Sequence, residues 1–174
     1  MGSEHEASPV ARRIGVFGGT FDPPHVGHLV TAVNVGHDLD LDRVLLVVAN
    51  RPWQKVGTRA ITPARDRLAM VDAAVRGVPR LEACDIELRR GGDSYTADTL
   101  AELRRTDPDA ELFVVLGADA AAGLDTWERA DEVRETATIV VVDRPGAAPA
   151  GVPEGFSWIH VEVPRLEVSS TDLR

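Results

Sequence analysis

The sequence is poor in cysteine and has no long apolar run. The single cysteine, Cys84, excludes a network of internal disulfides and is typical of a reducing compartment, so we expect a cytoplasmic location. No apolar run is long enough to span a bilayer, and the first residues lack the apolar core of a signal peptide. We therefore expect no membrane partner.

Positive charge is also scarce. Nineteen basic residues face 28 acidic residues, which gives a formal net charge of −9. Binding of a nucleic-acid backbone needs clustered Lys and Arg, so we expect no nucleic-acid partner. A small anionic ligand is still compatible with this charge if its site is locally positive. The 44% of apolar residues is ordinary for folded globular proteins and excludes a largely disordered chain.

Short apolar, β-branched segments alternate along the chain with segments of helical periodicity. Four of the apolar segments are nearly continuous, as expected of parallel strands covered on both faces. The alternation predicts an α/β fold with a doubly wound, Rossmann-like parallel sheet. The predicted strands are Arg13–Phe17, Val44–Ala49, Leu81–Ile86, Leu112–Leu116, Thr138–Val142 and Trp158–Val163. The predicted helices are His25–His37, Thr62–Arg76, Thr96–Arg105 and Thr126–Glu135.

The length of 174 residues predicts a single domain. We expect it to occupy residues 13–174, with residues 1–12 as a disordered lead-in. In the first predicted helix, the spacing places Leu29, Ala32 and Val33 on one buried stripe. In the third, Leu100 and Leu103 are expected to face inward. The second is expected to begin with Thr62 as a cap and proline at the first helical position.

The densest functional signal is the segment Gly18–Leu29 (GGTFDPPHVGHL), which follows the first predicted strand and begins the first predicted helix. In a doubly wound sheet, ligands bind at this carboxyl edge. The glycines allow close approach to the backbone, and a helix start offers N–H donors suited to phosphate. His25 and His28, three residues apart, project from one face of the first turn. A phosphate site is favoured over a turn without function, and over zinc, for which two histidines are too few ligands.

This segment closely resembles the nucleotidylyltransferase superfamily, whose H-x-G-H motif matches His25, Gly27 and His28. Its full spelling resembles the bacterial nicotinate-mononucleotide adenylyltransferases. Further segments are similar to elements of that family in the same order, and the first of them is similar to its actinobacterial form. They are Asn50–Lys55 (NRPWQK), Ser94–Leu100 (SYTADTL), Gly117–Asp119 with Thr126-Trp127, Arg144–Gly146 (RPG) and Ser169–Arg174 (SSTDLR).

The resemblance implies a fold of the nucleotidylyltransferase type and transfer of the adenylyl group of ATP to nicotinate mononucleotide. The products would be nicotinate adenine dinucleotide and pyrophosphate, a step of NAD biosynthesis. Mg²⁺ would be carried by the triphosphate, with no dedicated metal site. Pantetheine-phosphate adenylyltransferase is the enzyme alternative, although its motif normally has threonine in place of His25. A nucleotide-binding protein without turnover is the other alternative, and a homo-oligomer is left open.

The resemblance also implies three groups of site residues. Catalytic roles fall to His25, His28 and Arg174. ATP binding falls to Gly18, Gly19, Thr20, Phe21, Gly117, Asp119, Ser170 and Thr171. Mononucleotide binding falls to Asn50, Lys55, Tyr95, Thr96, Trp127, Glu128 and Arg144.

Several of these roles have structural alternatives. Trp127 would stack on the pyridine ring, but its residue type alone favours a core tryptophan. Asp119 could instead cap a helix, and Asp22 could cap backbone in a turn instead of acting as an outer-sphere metal partner. Arg51 could be a solvated charge as readily as a phosphate ligand. Because the family continues beyond its S-S-T-x-x-R motif, the C-terminal helices are expected to be missing after Arg174.

Overall fold

The computed structural model describes residues 11–51, 60–143, 151–164, 166, 168–171 and 173. Six strands form one sheet: β1 (Arg13–Gly19), β2 (Arg43–Val48), β3 (Leu81–Cys84), β4 (Glu111–Gly117), β5 (Ala137–Asp143) and β6 (Trp158–Glu162). The helices are α1 (Val26–Asp38), α2 (Ala64–Val75), α3 (Ile86–Arg90), α4 (Thr96–Thr106), α5 (Ala118–Ala122) and α6 (Ala130–Thr136). None of the helices described is long and apolar enough to cross a membrane.

All neighbouring strands of the sheet run parallel, in the order β3-β2-β1-β4-β5-β6. The strand order reverses between β1 and β4, where Arg13 pairs with Glu111 and Val16 with Val114. A crevice forms at such a reversal, because the connections leave toward opposite faces of the sheet. The predicted doubly wound α/β fold is confirmed, and the glycine pair of the motif lies at the carboxyl end of a central strand.

Hydrophobic cores cover both faces of the sheet, because alternate residues of each strand point to opposite sides. Ile14 and Val16 belong to one core, together with Leu100 and Leu103 of α4. Val44 and other β2 residues of the same parity belong to the second core, beneath α1 and α2. The central strands are therefore buried on both faces, which is why their sequences are continuously apolar.

Two short helices were not predicted, and several predicted boundaries differ from the observed ones. The predicted third strand ends at Cys84, and Ile86 begins α3 instead. Helix α3 and helix α5 each have five residues, which is too short for a helical period to show in the sequence. Helix α2 begins at Ala64, with Pro63 and not Thr62 in the cap position. Helix α6 begins at Ala130, because the preceding Leu124–Thr126 forms a 3₁₀ turn.

The predicted buried face was correct for α4 and partly wrong for α1. Leu100 and Leu103 are buried as expected. In α1, Ala32 is fully buried, but Val33 is 44% exposed and Val35 takes the buried position. Valine and leucine occur around much of α1, so its apolar stripe is ambiguous in the sequence, and the contact with the sheet selects the buried face.

Candidate active site

A cavity of about 330 Å³ opens at the carboxyl edge of β1, β2 and β4. One wall contains Gly18 and Gly19, which end β1, and Thr20, which follows it. The facing wall contains Tyr95 and Thr96 with Trp127 and Glu128. The volume lies near the lower end of the range for small-molecule sites. The structure thus brings residues predicted for ATP and residues predicted for the mononucleotide to one cavity.

The two glycines in the wall differ in what a side chain at each position would meet. A Cβ atom added to Gly18 would meet no atom within 4 Å, so this backbone borders open space. A Cβ atom on Gly19 would lie 2.8 Å from the ring of Phe21. Gly18 therefore leaves room for a ligand, whereas Gly19 leaves room for a side chain of the protein.

Phe21 holds the turn after β1 by a strained backbone and a buried ring. Its φ of 48° is left-handed, a region that non-glycine residues seldom occupy. Its side chain is only 2% exposed and makes edge contacts with Phe17 and His28, at centroid separations of 5.9 and 5.0 Å. The peptide bond between Asp22 and Pro23 is cis. Burial of the ring stabilises a backbone conformation that would otherwise be unfavourable.

His25 and His28 stack at the start of α1. Their ring centroids are 3.7 Å apart, with an angle of 29° between the planes. The backbone N–H of His25 donates to Nδ1 of His28 at 3.1 Å. When the His28 ring is neutral, its hydrogen therefore lies on Nε2, which is a donor suited to an anion.

The His25 ring is packed against the protein as well as against His28. Within the described part of the chain, its Nδ1 atom is buried and has no hydrogen-bond partner. Burial lowers the pKa of His25 from its ordinary value, so the neutral ring is favoured. A Cβ atom on Gly27 would come within 3.0 Å of this ring and 3.5 Å of Val168. The space left by Gly27 is thus filled by the protein itself.

The C-terminal motif lies beside this turn. The Ser170 hydroxyl donates to the carbonyl oxygen of Pro23 at 2.8 Å. Thr171 is exposed. The structure therefore brings Ser170 of the predicted S-S-T element into contact with Pro23, two residues before His25.

Behind the turn lies a fully buried arginine that the sequence analysis missed. Arg67 of α2 is 1% exposed and donates to the carbonyl oxygens of Thr62 and Thr20, each at 2.7 Å. A longer contact, 3.4 Å, joins it to the carbonyl of Asn50. Burial lowers the pKa of this guanidinium, and the Asp22 carboxylate opposes that shift, so Arg67 remains charged.

Asp22 also caps backbone. Its side chain is 4% exposed, and its Oδ2 atom accepts a hydrogen bond from the backbone N–H of Thr62 at 3.2 Å. This bond joins the turn to the chain just before α2, 40 residues further along the sequence, so a cap on the backbone of its own turn stays a prediction for Asp22.

The facing wall is built on the N-terminus of α4. Tyr95 is the cap residue, and the N–H of Thr99 makes the first helical bond to its carbonyl at 3.3 Å. The preceding N–H groups and the helix dipole make this end locally positive. An ion pair of 2.6 Å between Asp98 of α4 and Arg129 ties the helix to the segment that carries Trp127.

Trp127 lies at the boundary between the hydrophobic core and the cavity. It is half-buried, packs against the hydrophobic core and also lines the cavity. The sequence predicted a helix from Thr126 onward. In the structure Trp127 instead ends the 3₁₀ turn, three residues before α6 begins. Its exposed part is therefore available to a planar ligand.

A buried carboxylate, Glu87, also lines the cavity and was not predicted. Its Oε1 atom accepts a hydrogen bond of 2.9 Å from the Thr99 hydroxyl, which in turn accepts one of 3.1 Å from Arg90. Nothing in the stretch Glu87–Arg90 distinguishes it from a solvated charged helix, so only the fold reveals it.

The other described residues predicted for the mononucleotide or for phosphate do not line the cavity. Asn50 donates its side-chain amide to the Gly92 carbonyl at 2.8 Å and so braces a neighbouring loop. The Arg51 side chain is exposed, 3.7 Å from Asp93. Gly117 caps α5, and Asp119 is exposed in its first turn; neither lines the cavity. Lys55, Arg144 and Arg174 lie outside the described residues.

The cavity has little positive side-chain charge. Among the described residues, its lining includes Glu87 and Glu128 but no Lys, Arg or His. The same residues contain no group of three or more His, Cys, Asp or Glu side chains that could hold a metal ion. Among the described lining residues, the groups that can attract an anion are therefore backbone N–H groups, above all those at the start of α4.

Residues 16–174 match the family model described as "Cytidylyltransferase-like". A "Probable nicotinate-nucleotide adenylyltransferase" of Corynebacterium kroppenstedtii is 46% identical over 93% of this chain and 78% of its own length. One of Frankia casuarinae is 47% identical over 90% of this chain and 83% of its own.

Among solved structures, the Plasmodium falciparum nicotinic acid mononucleotide adenylyltransferase complexed with NaAD superimposes with a TM-score of 0.76. The superposition covers 92% of this chain and 82% of that one, at 16% identity, so it supports the fold alone. The curated relatives carry the family assignment. The chain belongs to the cytidylyltransferase-like family and, within it, to the nicotinate-nucleotide adenylyltransferases.

Proposed function

We propose that this chain transfers the adenylyl group of ATP to nicotinate mononucleotide. The 5′-phosphate oxygen of the mononucleotide attacks the α-phosphorus of ATP, and pyrophosphate leaves with the bonding electrons. The observation that supports this most is the single cavity between Gly18–Thr20 and the wall of Tyr95, Thr96 and Trp127. The turn proposed to bind phosphate and the wall proposed to bind the pyridine ring then border the same cavity.

The mononucleotide would occupy the cavity between these walls. Trp127 offers a partly exposed aromatic face to the pyridine ring. Backbone N–H groups at Tyr95 and Thr96, at the positive end of α4, would receive the ring carboxylate together with the backbone N–H of Glu128. A helix N-terminus favours an anion over a neutral amide, so nicotinate mononucleotide should be preferred to nicotinamide mononucleotide.

ATP would lie against the start of α1. Backbone N–H groups near Thr20 and Phe21 and the Nε2–H of His28 would bind its phosphates, with His25 beside them. The attacking phosphate is already an anion, so no strong base is needed, and catalysis depends on positioning and charge stabilisation. On the basis of the family motifs we extend ATP binding to Ser170, Thr171 and Arg174, with Asp119 at the ribose. On the same basis we assign Lys55 and Arg144 to the mononucleotide.

Mg²⁺ would accompany ATP as part of the substrate, where it neutralises charge on the phosphates as pyrophosphate leaves. The donor set fits this assignment better than a resident metal. Asp22, the buried carboxylate nearest the turn, already accepts from Thr62 and lies beside Arg67. No described cluster of ligating side chains offers an alternative.

Pyrophosphate release tests the proposal. ATP and Mg²⁺ are supplied with nicotinate mononucleotide, nicotinamide mononucleotide or pantetheine phosphate, and the specificity constant is measured for each acceptor. We expect the largest value for nicotinate mononucleotide. A largest value for pantetheine phosphate would contradict the proposal, as would ATP binding without release of pyrophosphate for any acceptor.

A further inference from the structure

We propose that Arg67 is a positioning residue for adenylyl transfer, which orients the phosphate-binding turn from behind. The inference rests on the proposed function for its substrates and goes beyond it in assigning a buried group a kinetic role. Arg67 is 1% exposed and does not line the cavity, so its effect on substrate must pass through the backbone.

The contacts of Arg67 join three separate stretches of chain. Nη1 donates to Thr20 O after β1, Nε donates to Thr62 O before α2, and Nη2 lies 3.4 Å from Asn50 O after β2. A planar guanidinium presents several N–H donors in fixed directions, so it can hold different carbonyls in a set relation. A lysine has one donor atom and cannot impose the same relation.

The bond to Thr20 O has a direct consequence for the turn. A peptide unit is planar and trans, so the carbonyl of Thr20 and the N–H of Phe21 point in opposite directions. When Arg67 fixes the direction of this C=O, it also fixes the direction of the Phe21 N–H. That N–H belongs to the turn proposed to bind ATP.

The turn needs such support because it is strained. Phe21 has a φ of 48°, and a peptide next to a left-handed residue can relax by rotating unless other contacts hold it. Burial of the Phe21 ring fixes one side of this peptide, and Arg67 fixes the other. Asp22 lies near the guanidinium and limits the cost of burying its charge.

A matched control is available on the same helix. Arg76 caps the end of α2 and pairs with Asp72 at 3.2 Å, but its side chain is 77% exposed. The same substitutions at Arg76 remove an arginine from α2 without touching the turn.

The experiment compares Arg67→Lys and Arg67→Met with Arg76→Lys and Arg76→Met. Calorimetry gives the ATP dissociation constant, and pyrophosphate release gives kcat and KM for each substrate, at a temperature where melting curves show each protein folded. For Arg67→Met we expect kcat/KM for ATP to fall about 10²-fold, because a misplaced binding group costs rates of that order. The KM for the mononucleotide should change much less. In Arg67→Lys, kcat/KM for ATP should also fall, but by less than in Arg67→Met.

If Arg67→Met does not fold, the measurements on Arg67→Lys test the positioning role. Folded Arg67→Lys with parental kcat and ATP affinity would overturn the proposal, as would an equal loss for both substrates. If the parent binds ATP but does not use nicotinate mononucleotide, the proposed function fails. The role of Arg67 in orienting the turn is then tested by the ATP dissociation constants alone. Parental ATP affinity in both Arg67 variants would then contradict its role.

Discussion

The two sides of the carboxyl edge are built in different ways. On the side of Thr20–His28, which we call the histidine turn, protein side chains fill the space: His25 stacks on His28, and the Phe21 ring lies over Gly19. On the other side, the walls leave a cavity of about 330 Å³. A packed turn fixes the direction of its donors before a substrate arrives, whereas an open cavity selects a substrate by volume and by its lining. We propose the histidine turn for the ATP phosphates and the cavity for the mononucleotide, with Gly18–Thr20 as the wall at which the two sites meet.

The largest expected effect tests the packed side. In His28→Ala we expect kcat to fall about 10²-fold or more, because a preorganised donor near the reacting phosphates is lost. The stability should change much less. Pyrophosphate release and a urea titration measure the two quantities.

His37→Ala is the control, since this histidine is at the far end of α1 with its side chain 87% exposed. Parental turnover in His28→Ala would remove His28 from the mechanism, and a loss shared with His37→Ala would point to α1 as a whole.

The adjacent glycines sharpen the comparison, because both line the cavity but only at Gly19 does a protein side chain fill the space where a Cβ atom would lie. Gly19→Ala would place Cβ 2.8 Å from the Phe21 ring, and we expect destabilisation of about 1–3 kcal/mol from overpacking. Gly18→Ala adds a methyl group to open space, so stability should stay within about 0.5 kcal/mol while substrate binding weakens. Chemical denaturation and substrate titrations measure both variants. Equal destabilisation of the two would contradict the distinction.

The smallest expected effect concerns pH and the packed histidine. Burial lowers the pKa of His25 in the folded state, so the unfolded chain takes up this proton at a higher pH. Folding stability should therefore fall as the pH drops below about 6.5, and His25 makes no such contribution at higher pH. Chemical denaturation at pH 7.5 and at pH 5.5 gives the free energy of unfolding at each pH. Between these two values, His25→Gln should lose less of this free energy than the parent does. Identical losses in the two proteins would show that His25 does not carry this effect.

Most of the fold could be predicted because its strands are apolar over most of their length. A β-branched run between polar segments marks a doubly covered strand, and all six predicted strands exist within a few residues of their predicted ends. Helices α3 and α5 left no signal because one turn of helix has no period. The buried face of α1 was partly wrong because its apolar residues are not confined to one stripe.

The site could be predicted only where the residues form a dense motif. Histidines, glycines and prolines in Gly18–Leu29 marked the turn, but the packing of His25 into the space left by Gly27 depends on three dimensions. Arg67 shows the limit most clearly. Arg65 and Arg67 are both charged residues of one helix, and only the fold exposes the first and buries the second.

Separate binding of the two substrates to Trp127→Ala tests the division of the edge most directly. Calorimetry would give the dissociation constants of nicotinate mononucleotide and of ATP for the variant and the parent, with melting curves to establish that the variant is folded. We expect mononucleotide binding to weaken by about 1–3 kcal/mol, since stacking on an aromatic face is worth that much, and ATP binding to change little. Equal weakening for both substrates in the folded variant would contradict the assignment of the cavity to the mononucleotide.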